Sequence, residues 1–271
     1  MASNPAPVLK YPGAKWNLAK WIVGHLPAHT TYLEPYFGSG AVFFNKKPSK
    51  VETINDIDDN VVNLFRVIRE RPGELAALVE MTPWAREEYY VSYEQTGEGL
   101  EDARRFLVRC WQAFGAKTSD RTGWRNDIQA KKGTSGPKQW KGLPARILAV
   151  ADRLKDAQIE NRPALELIAK CNYKGVLIYA DPPYPLSTRS KRIYKHEMTD
   201  ADHMELLDAL DKHPGPVLLS GYACELYDKR LKYWSRKTAW ALAESGQKRE
   251  EVLWLNPIAA DKMENRSLFE I

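Results

Sequence analysis

Short unbroken apolar runs alternate along this chain with stretches whose apolar positions recur every three to four residues, the pattern of buried strands between amphipathic helices. Asn17 is placed to cap a first helix through Leu18, Trp21 and Ile22 that stops at Pro27. Tyr32-Leu33 then reads as a strand that enters a Gly-rich turn and the apolar helix start Ala41-Val42-Phe43-Phe44. Thr53-Ile54-Asn55-Asp56 is the next strand. Asp58, Asp59 and Asn60 open a helix with Val61, Leu64, Phe65 and Ile68 on one face, closed at Pro72-Gly73. Further on, Val176-Leu177-Ile178-Tyr179-Ala180 and Val217-Leu218-Leu219-Ser220 are buried strands. Between them Thr199-x-x-Asp202 starts a helix that turns Met204, Leu206, Leu207 and Leu210 inward, closed by Pro214-Gly215. Trp234 to Leu242 and Glu251 to Leu255, joined across Ser245-Gly246, form an antiparallel hairpin. The alternation is that of an α/β, Rossmann-like sheet.

From about residue 74 to 156 the alternation lapses. Leu75, Leu78 and Val79, then residues 87–93 and 106–114, read as helix, with a turn at 95–99 and with Trp111 and Phe114 as core positions. Residues 115–143 are rich in Gly, Lys, Arg, Ser, Thr and Trp and carry little periodicity, as a basic surface loop or hairpin does. Leu143-Pro144-Ala145-Arg146-Ile147-Leu148 returns to helix. The expected division is therefore 1–73 with 157–271 as one domain and 74–156 as an insertion. Charge sharpens that division. The formal net charge of the 271 residues is only +5, yet Arg104 to Lys155 holds 13 Lys/Arg against 3 Asp/Glu. A basic region set into a mildly acidic body fits a polyanion partner, and a solvated helical face is the plainer reading. Arg121, Trp124, Arg125, Lys131, Lys132, Lys138, Trp140 and Lys141 interleave cations with flat rings, which suits phosphates, sugars and bases. Hydrophobic residues make up 44% of the chain, enough for a core, and no apolar run approaches the roughly 18 residues of a membrane span. The polar start is no signal peptide. Cys110, Cys171 and Cys224 lie outside any metal spacing and are expected as buried free thiols in a reducing cytosol.

Candidate chemistry gathers at the strand ends. The run 176–180 leads into Asp181-Pro182-Pro183-Tyr184. The prolines fix φ and remove backbone donors, so the chain leaves the sheet in one direction. That alone explains the tetrapeptide as a rigid strand exit. It also places a carboxylate and the Asp181 and Pro182 carbonyls beside an aromatic ring. Such acceptors suit an exocyclic amine on a planar heterocycle, holding its two hydrogens while the lone pair faces an electrophile. Upstream, the glycines of Gly38-Ser39-Gly40 admit positive φ and close approach of a cofactor. Asp56, sixteen residues after Gly40, ends the next strand where a Rossmann unit binds ribose hydroxyls. The third glycine of the dinucleotide fingerprint is absent and Phe37 stands in the loop, which disfavours a nicotinamide cofactor. Near the start, Pro12-Gly13 makes a tight turn that lets Tyr11 cover a ligand and Lys15 reach a carboxylate. Asp59 reads as a helix cap rather than a ligand contact. His196 and His203 have no nucleophile to serve and are expected at surface or capping positions.

Tyr11-Pro12-Gly13-Ala14-Lys15, Glu34-Pro35-Tyr36-Phe37-Gly38-Ser39-Gly40, Asn55-Asp56-Ile57 and Asp181-Pro182-Pro183-Tyr184 together resemble the motifs of the Dam-like adenine-N6 DNA methyltransferases, the D12 class, alpha group. Lys248 to Asn256 is similar to the closing strand of phage-borne members. The resemblance runs from Lys10 to about Pro257 and is loose only in the insertion. It implies a Rossmann-like methyltransferase with a mixed seven-stranded sheet and a mainly helical, inserted target-recognition subdomain. It puts S-adenosyl-L-methionine on Tyr11, Gly13, Lys15, Glu34, Pro35, Phe37, Gly38, Ser39, Gly40, Asp56, Ile57, Asn161 and Asp181. Asp181, Pro182, Pro183 and Tyr184 then transfer methyl to N6 of an adenine flipped out of double-stranded DNA, with no metal. Lys10 joins the insertion cations on DNA. The polar loop after Tyr184, with Arg189, Lys191 and Arg192, is expected to order there as a lid. One departure stands out: Pro163 replaces the acid that the family carries near the cofactor's adenine, which leaves that contact to Asn161 or a backbone carbonyl. Asn265-Arg266-Ser267-Leu268-Phe269 resembles peptides that dock onto bacterial sliding clamps, and an apolar tail also packs on its own domain. The expected setting is the cytoplasm and nucleoid of a bacterium, the enzyme being an orphan or phage-encoded one. RNA methylation, methylation of a protein glutamine, and a catalytically silent DNA-binding protein are the alternatives. Asp rather than Asn before Pro-Pro-Tyr weighs against the protein substrate, and the intact Asp181, Tyr184, Gly38, Gly40 and Asp56 against silence.

Overall fold

The structure, a computed structural model, describes residues 6–115, 117–128, 135–189, 191–242 and 248–269, without the side chains of 242 and 266–269. Its described elements run α1 (Ala19–Gly24), β1 (Thr31–Glu34), α2 (Ala41–Asn45), β2 (Val51–Asn55), α3 (Asp59–Glu70), α4 (Pro72–Met81), α5 (Arg86–Val91), α6 (Gly99–Gln112), α7 (Gly136–Lys141), α8 (Leu143–Lys155), β3 (Ala157–Glu160), α9 (Ala164–Lys170), β4 (Val176–Ala180), α10 (Asp200–Asp211), β5 (Val217–Gly221), α11 (Glu225–Arg230), β6 (Ser235–Leu242), β7 (Lys248–Leu255) and α12 (Pro257–Phe269). The seven strands form one mixed sheet in the order β3-β2-β1-β4-β5-β7-β6. β1 runs parallel to β2 and β4, and β4 to β5, whereas β7 is antiparallel to both β5 and β6. The chain therefore winds outward from β1 and returns beside it as β4. That reversal opens a crevice at the carboxyl ends of β1 and β4, where open α/β sheets bind ligands.

Two compact units divide the chain. The sheet unit comprises Lys15–Ile57, Gln158–Arg192 and His196–Ile271. β4 and β5 are buried along their whole length, as parallel strands covered on both faces must be. Leu206, Leu207 and Leu210 of α10 pack on Ile178, Val217 and Leu219 in the core they share with Trp254. The capping box of Thr199 and Asp202 forms as the sequence predicts. Asn17, in contrast, caps nothing: α1 begins at Ala19 with Leu18 before it and no side-chain cap. His203 is fully buried rather than superficial, with Nδ1 2.9 Å from the Tyr227 hydroxyl. Burial brings its pKa down to about 4, so it is a neutral core histidine.

The helical unit draws on Met1–Ala14, Asp58–Ala157 and Ile193–Lys195. It includes α3, whose Val61, Leu64, Phe65 and Ile68 are buried. The side chain of Asp58 accepts from the Asn60 amide and caps that helix. Trp111 is core, as expected, and its indole donates to the Val8 carbonyl at 2.7 Å. Phe114 is not: α6 stops at Gln112, and Phe114 is 72% exposed beyond it. Gln112 ties the end of α6 to two other segments. Its Oε1 accepts from the Ala85 amide and the Trp124 indole, and its Nε2 donates to the Pro83 carbonyl. The aperiodic stretch also contains a helix, α7, too short at six residues to show a period. Trp140 on α7 corrects a second expectation. It is 5% exposed, donates to the Thr82 carbonyl at 2.9 Å and meets Trp84 edge-on, so it packs the helices instead of facing a nucleic acid. Cys110 is buried, whereas Cys171 and Cys224 are half-buried. Among the described residues no helix is long and apolar enough to cross a membrane, and no His, Cys, Asp and Glu cluster is arranged to hold a metal ion.

Candidate active site

Each strand of the crevice ends in a polar residue held by its neighbours. β1 ends in Glu34, 2% exposed, which accepts a hydrogen bond from Tyr32 at 2.7 Å. Burial pushes its carboxyl up to about 8 against that bond, so it keeps its proton near neutral pH. Beyond it the chain turns with Gly38 at φ 49° and Gly40 at φ 68°. A Cβ on Gly40 would stand 2.4 Å from the Phe37 ring, so only glycine lets Phe37 lie under the loop against Phe43 and Phe44. Ser39 accepts from the Trp16 indole at 3.0 Å.

β2 ends in Asn55-Asp56, and these two residues tie three strand ends together. Asn55 Nδ2 donates to the carbonyls of Pro35 and Arg162, and its Oδ1 accepts from the Arg162 amide. Asp56 accepts from the Gly38 amide at 2.8 Å, and the Asp56 carbonyl accepts from Asn161 Nδ2 at 2.9 Å. Asn161 thus braces Asp56, and Pro163 stands at the N-cap of α9, which begins at Ala164. Ile57, 42% exposed, leaves an apolar surface beside Asp56.

β4 ends in Asp181-Pro182-Pro183-Tyr184. Lys15 is buried, and its Nζ lies 3.1 Å from Asp181 Oδ1 and 4.7 Å above the Tyr184 ring. Burial raises the pKa of Asp181 and the Lys15 ammonium pulls it back. Tyr184 is 6% exposed, meets Tyr222 edge-on with centroids 4.7 Å apart, and donates its hydroxyl to Glu251 Oε2 at 2.7 Å. The Tyr184 carbonyl accepts two bonds from the Arg189 guanidinium, which also pairs with Glu197. Arg189, expected on DNA, here fixes the loop behind Tyr184, while Lys191 and Arg192 are exposed.

The structure thus brings together in one unit Lys15, Glu34, Pro35, Phe37, Gly38, Ser39, Gly40, Asp56, Ile57, Asn161 and Asp181 to Tyr184. Lys10, Tyr11 and Gly13 belong to the helical unit. Lys10 there donates to Gln139 and lies over the Trp111 ring, and burial with Arg125 and Arg146 nearby brings its pKa down to about 8. Arg121 and Lys138 are exposed, and Trp124 and Arg125 are half-buried. Lys131 and Lys132 lie outside the described residues, as do the side chains of Leu268 and Phe269. The sequence reading gave no role to Asn55, which it quoted only within the Asn55-Asp56-Ile57 motif, and none to Glu251. The one signal for each was position: an amide just before Asp56, and a carboxylate at the mouth of an apolar strand.

The site can offer acceptors and a ring face to an amine beside a glycine-lined crevice that ends in an acid. Comparison with known proteins agrees with that chemistry. The pattern of D12 class N6 adenine-specific DNA methyltransferases matches residues 11–244. The chain is 24% identical over 258 residues to the DNA adenine methylase of Escherichia coli (strain K12), spanning 90% of this chain and 91% of that protein. It is 27% identical over 246 residues to a type II methyltransferase of Lactococcus lactis subsp. cremoris, spanning 84% and 85%. The chain belongs to the family of D12 class N6 adenine-specific DNA methyltransferases.

Proposed function

We propose that Asp181, Pro182, Pro183 and Tyr184 form the methyl-transfer site of this adenine-specific DNA methyltransferase, that the loop after β1 with Asp56 and Asn161 holds its methyl donor S-adenosyl-L-methionine, and that residues 74–156 recognise the target sequence. The observation that carries the reading is the position of Lys15. A cationic nitrogen rich in N–H bonds sits where the Asp181 carboxylate and the Tyr184 face converge. Adenine N6 brings two N–H bonds and gains positive charge as it is methylated, so the same two groups suit it.

The donor set fits the cofactor. Gly38 and Gly40 hold the loop in a positive-φ turn, Asp56 is an acid already oriented by the Gly38 amide, and Ile57 offers an apolar edge for a purine. When bound, S-adenosylmethionine supplies a methyl group on an already activated sulfonium. The residues then act by alignment and fixed dipoles. Asp181 and the Pro182 carbonyl accept the two N6 hydrogens and favour the pyramidal nitrogen of the transition state. The target base leaves its stack at a cost of a few kcal/mol, offset in part by stacking on Tyr184, worth roughly 1–3 kcal/mol. For Tyr11 and Gly13 as cofactor contacts, and for a sliding clamp as partner of Leu268-Phe269, the support is sequence resemblance. A cytoplasmic, nucleoid-bound enzyme follows from the DNA substrate. The basic insertion supports duplex DNA as the partner.

Transfer of labelled methyl to unmethylated duplex DNA, with matched RNA in parallel and base-level mapping of the product, tests this. N6-methyladenine at one short DNA sequence is expected. Label confined to RNA would overturn the substrate while leaving the chemistry.

A further inference from the structure

β7 carries a carboxylate at the start of its buried run, ahead of Val252, Leu253, Trp254 and Leu255. Residues 251–255 are all buried, and Glu251 is 8% exposed. Burying a carboxylate is costly without a cation beside it, yet the partner of Glu251 is a phenol, the Tyr184 hydroxyl at 2.7 Å. An apolar residue at this position would pack the strand at less cost. Two positions earlier, on the same face of the strand, Arg249 donates to the Thr188 carbonyl at 3.3 Å and lies over the Tyr222 ring. Tyr222 in turn meets Tyr184 edge-on. β7 therefore grips the segment after Asp181 at two points, one of them the tip of the ring itself. The other end of Tyr184 is held by Arg189 on its carbonyl.

We propose that Glu251 is a positioning residue for methyl transfer. Its carboxylate holds the Tyr184 hydroxyl and so sets the plane of the ring on which the target adenine stacks, bringing N6 into line with Asp181. The inference rests on the reading of Tyr184 as the stacking platform. A carboxylate suits the task because it accepts from the phenol and cannot turn and donate, and the bond is charge-assisted.

The test measures kcat and KM for duplex DNA, cofactor Kd and thermal midpoint for Glu251→Leu, Glu251→Gln, Tyr184→Phe and Tyr184→Ala. Glu251→Leu and Tyr184→Phe are expected to lower kcat by about 100-fold, the effect of a small misplacement at the reacting centre, with cofactor Kd unchanged. Glu251→Gln, whose amide oxygen still accepts, should stay within about tenfold of the parent. The double variant Glu251→Leu/Tyr184→Phe should be no slower than either single one, since both remove one bond. Parental kcat in Tyr184→Phe, or strictly multiplicative losses in the double variant, overturns the proposal. Tyr184→Phe keeps Glu251 in place and decides the matter even where Glu251→Leu fails to fold. A Tyr184→Ala enzyme at the parental rate would remove the platform and the proposal together. An inactive Tyr184→Ala beside fully active Glu251→Leu and Tyr184→Phe would remove Glu251 alone.

Discussion

The crevice of the sheet unit and the surface of the helical unit use the same ionisable residues to opposite effect. At the crevice, charges are buried and set against close partners: Lys15 with Asp181 and the Tyr184 phenol with Glu251. Burial dominates there, and the carboxyls of Glu34 and Asp181 move up. In the helical unit Glu101 moves down to about 2, because Arg104 and Arg105 hydrogen-bond to it near solvent. These pairs are half-buried at the edge of α6, with Glu101 27% exposed, so water still screens them in part. The crevice therefore holds groups whose charge responds to an incoming ligand. The helices hold ionised groups that supply a fixed field.

The contrast breaks first at Trp140, a helical-unit ring that belongs to a core. Trp140→Ala should lower unfolding free energy by about 3–5 kcal/mol, as for other buried aromatic truncations. Chemical denaturation reads the loss. Weakened DNA binding at undiminished stability would instead return this ring to the nucleic-acid face. At the crevice, Asp181→Ala should cost about 100- to 1000-fold in methyl transfer, the range for removing one aligned electrostatic group. DNA and cofactor affinity should persist. Loss of both bindings in a folded protein would show that Asp181 holds the site together rather than the reacting nitrogen.

Lys15 sharpens the same point through pH. Asp181 acts ionised, so activity falls as pH drops through its pKa. Burial raises that pKa and Lys15 opposes the rise. In Lys15→Met the acid limb of kcat should therefore move to higher pH, because the opposite charge that holds the Asp181 pKa down is gone. The profile is taken at saturating cofactor, because Lys15 is also expected on the donor's carboxylate. A limb that stays in place would show that another group titrates.

The two units were unequally legible for the same physical reason. Crevice chemistry is contiguous along the chain: Asp181 to Tyr184 and Glu34 to Gly40 each sit on one strand exit, and a strand exit fixes what its residues face. The count of seven strands came from family resemblance rather than periodicity, and their order only from the structure. Glu251 stayed hidden because its partner is 67 residues away in the chain, and nothing local marks a carboxylate that accepts from a phenol. In the helical unit composition announced a basic region but not which side chains are free of the core. Trp140 and Phe114 exchanged their expected roles, since a six-residue helix and a helix end two residues early both defeat period counting.

The smallest expected effect tests whether the basic excess of the helical unit meets DNA at all. Arg121 and Lys138 are exposed, and Arg121 stacks over Tyr90 and Tyr93, with no acid paired to it among the described residues. If each meets a phosphate, each releases about one counterion on binding. The double variant Arg121→Ala/Lys138→Ala should then flatten the plot of log affinity against log salt by about 2. Affinity should fall by about tenfold at moderate salt, evenly across sequences, because phosphate contacts carry no base information. Methyl transfer at saturating DNA should be unchanged, the reverse of Asp181→Ala. Fluorescence anisotropy on target and scrambled duplexes across a salt series measures slope, affinity and evenness together. An unchanged slope would make these cations a solvated helical face. A loss confined to the target duplex would instead place one of them on a base edge, turning a fixed field into a specific contact.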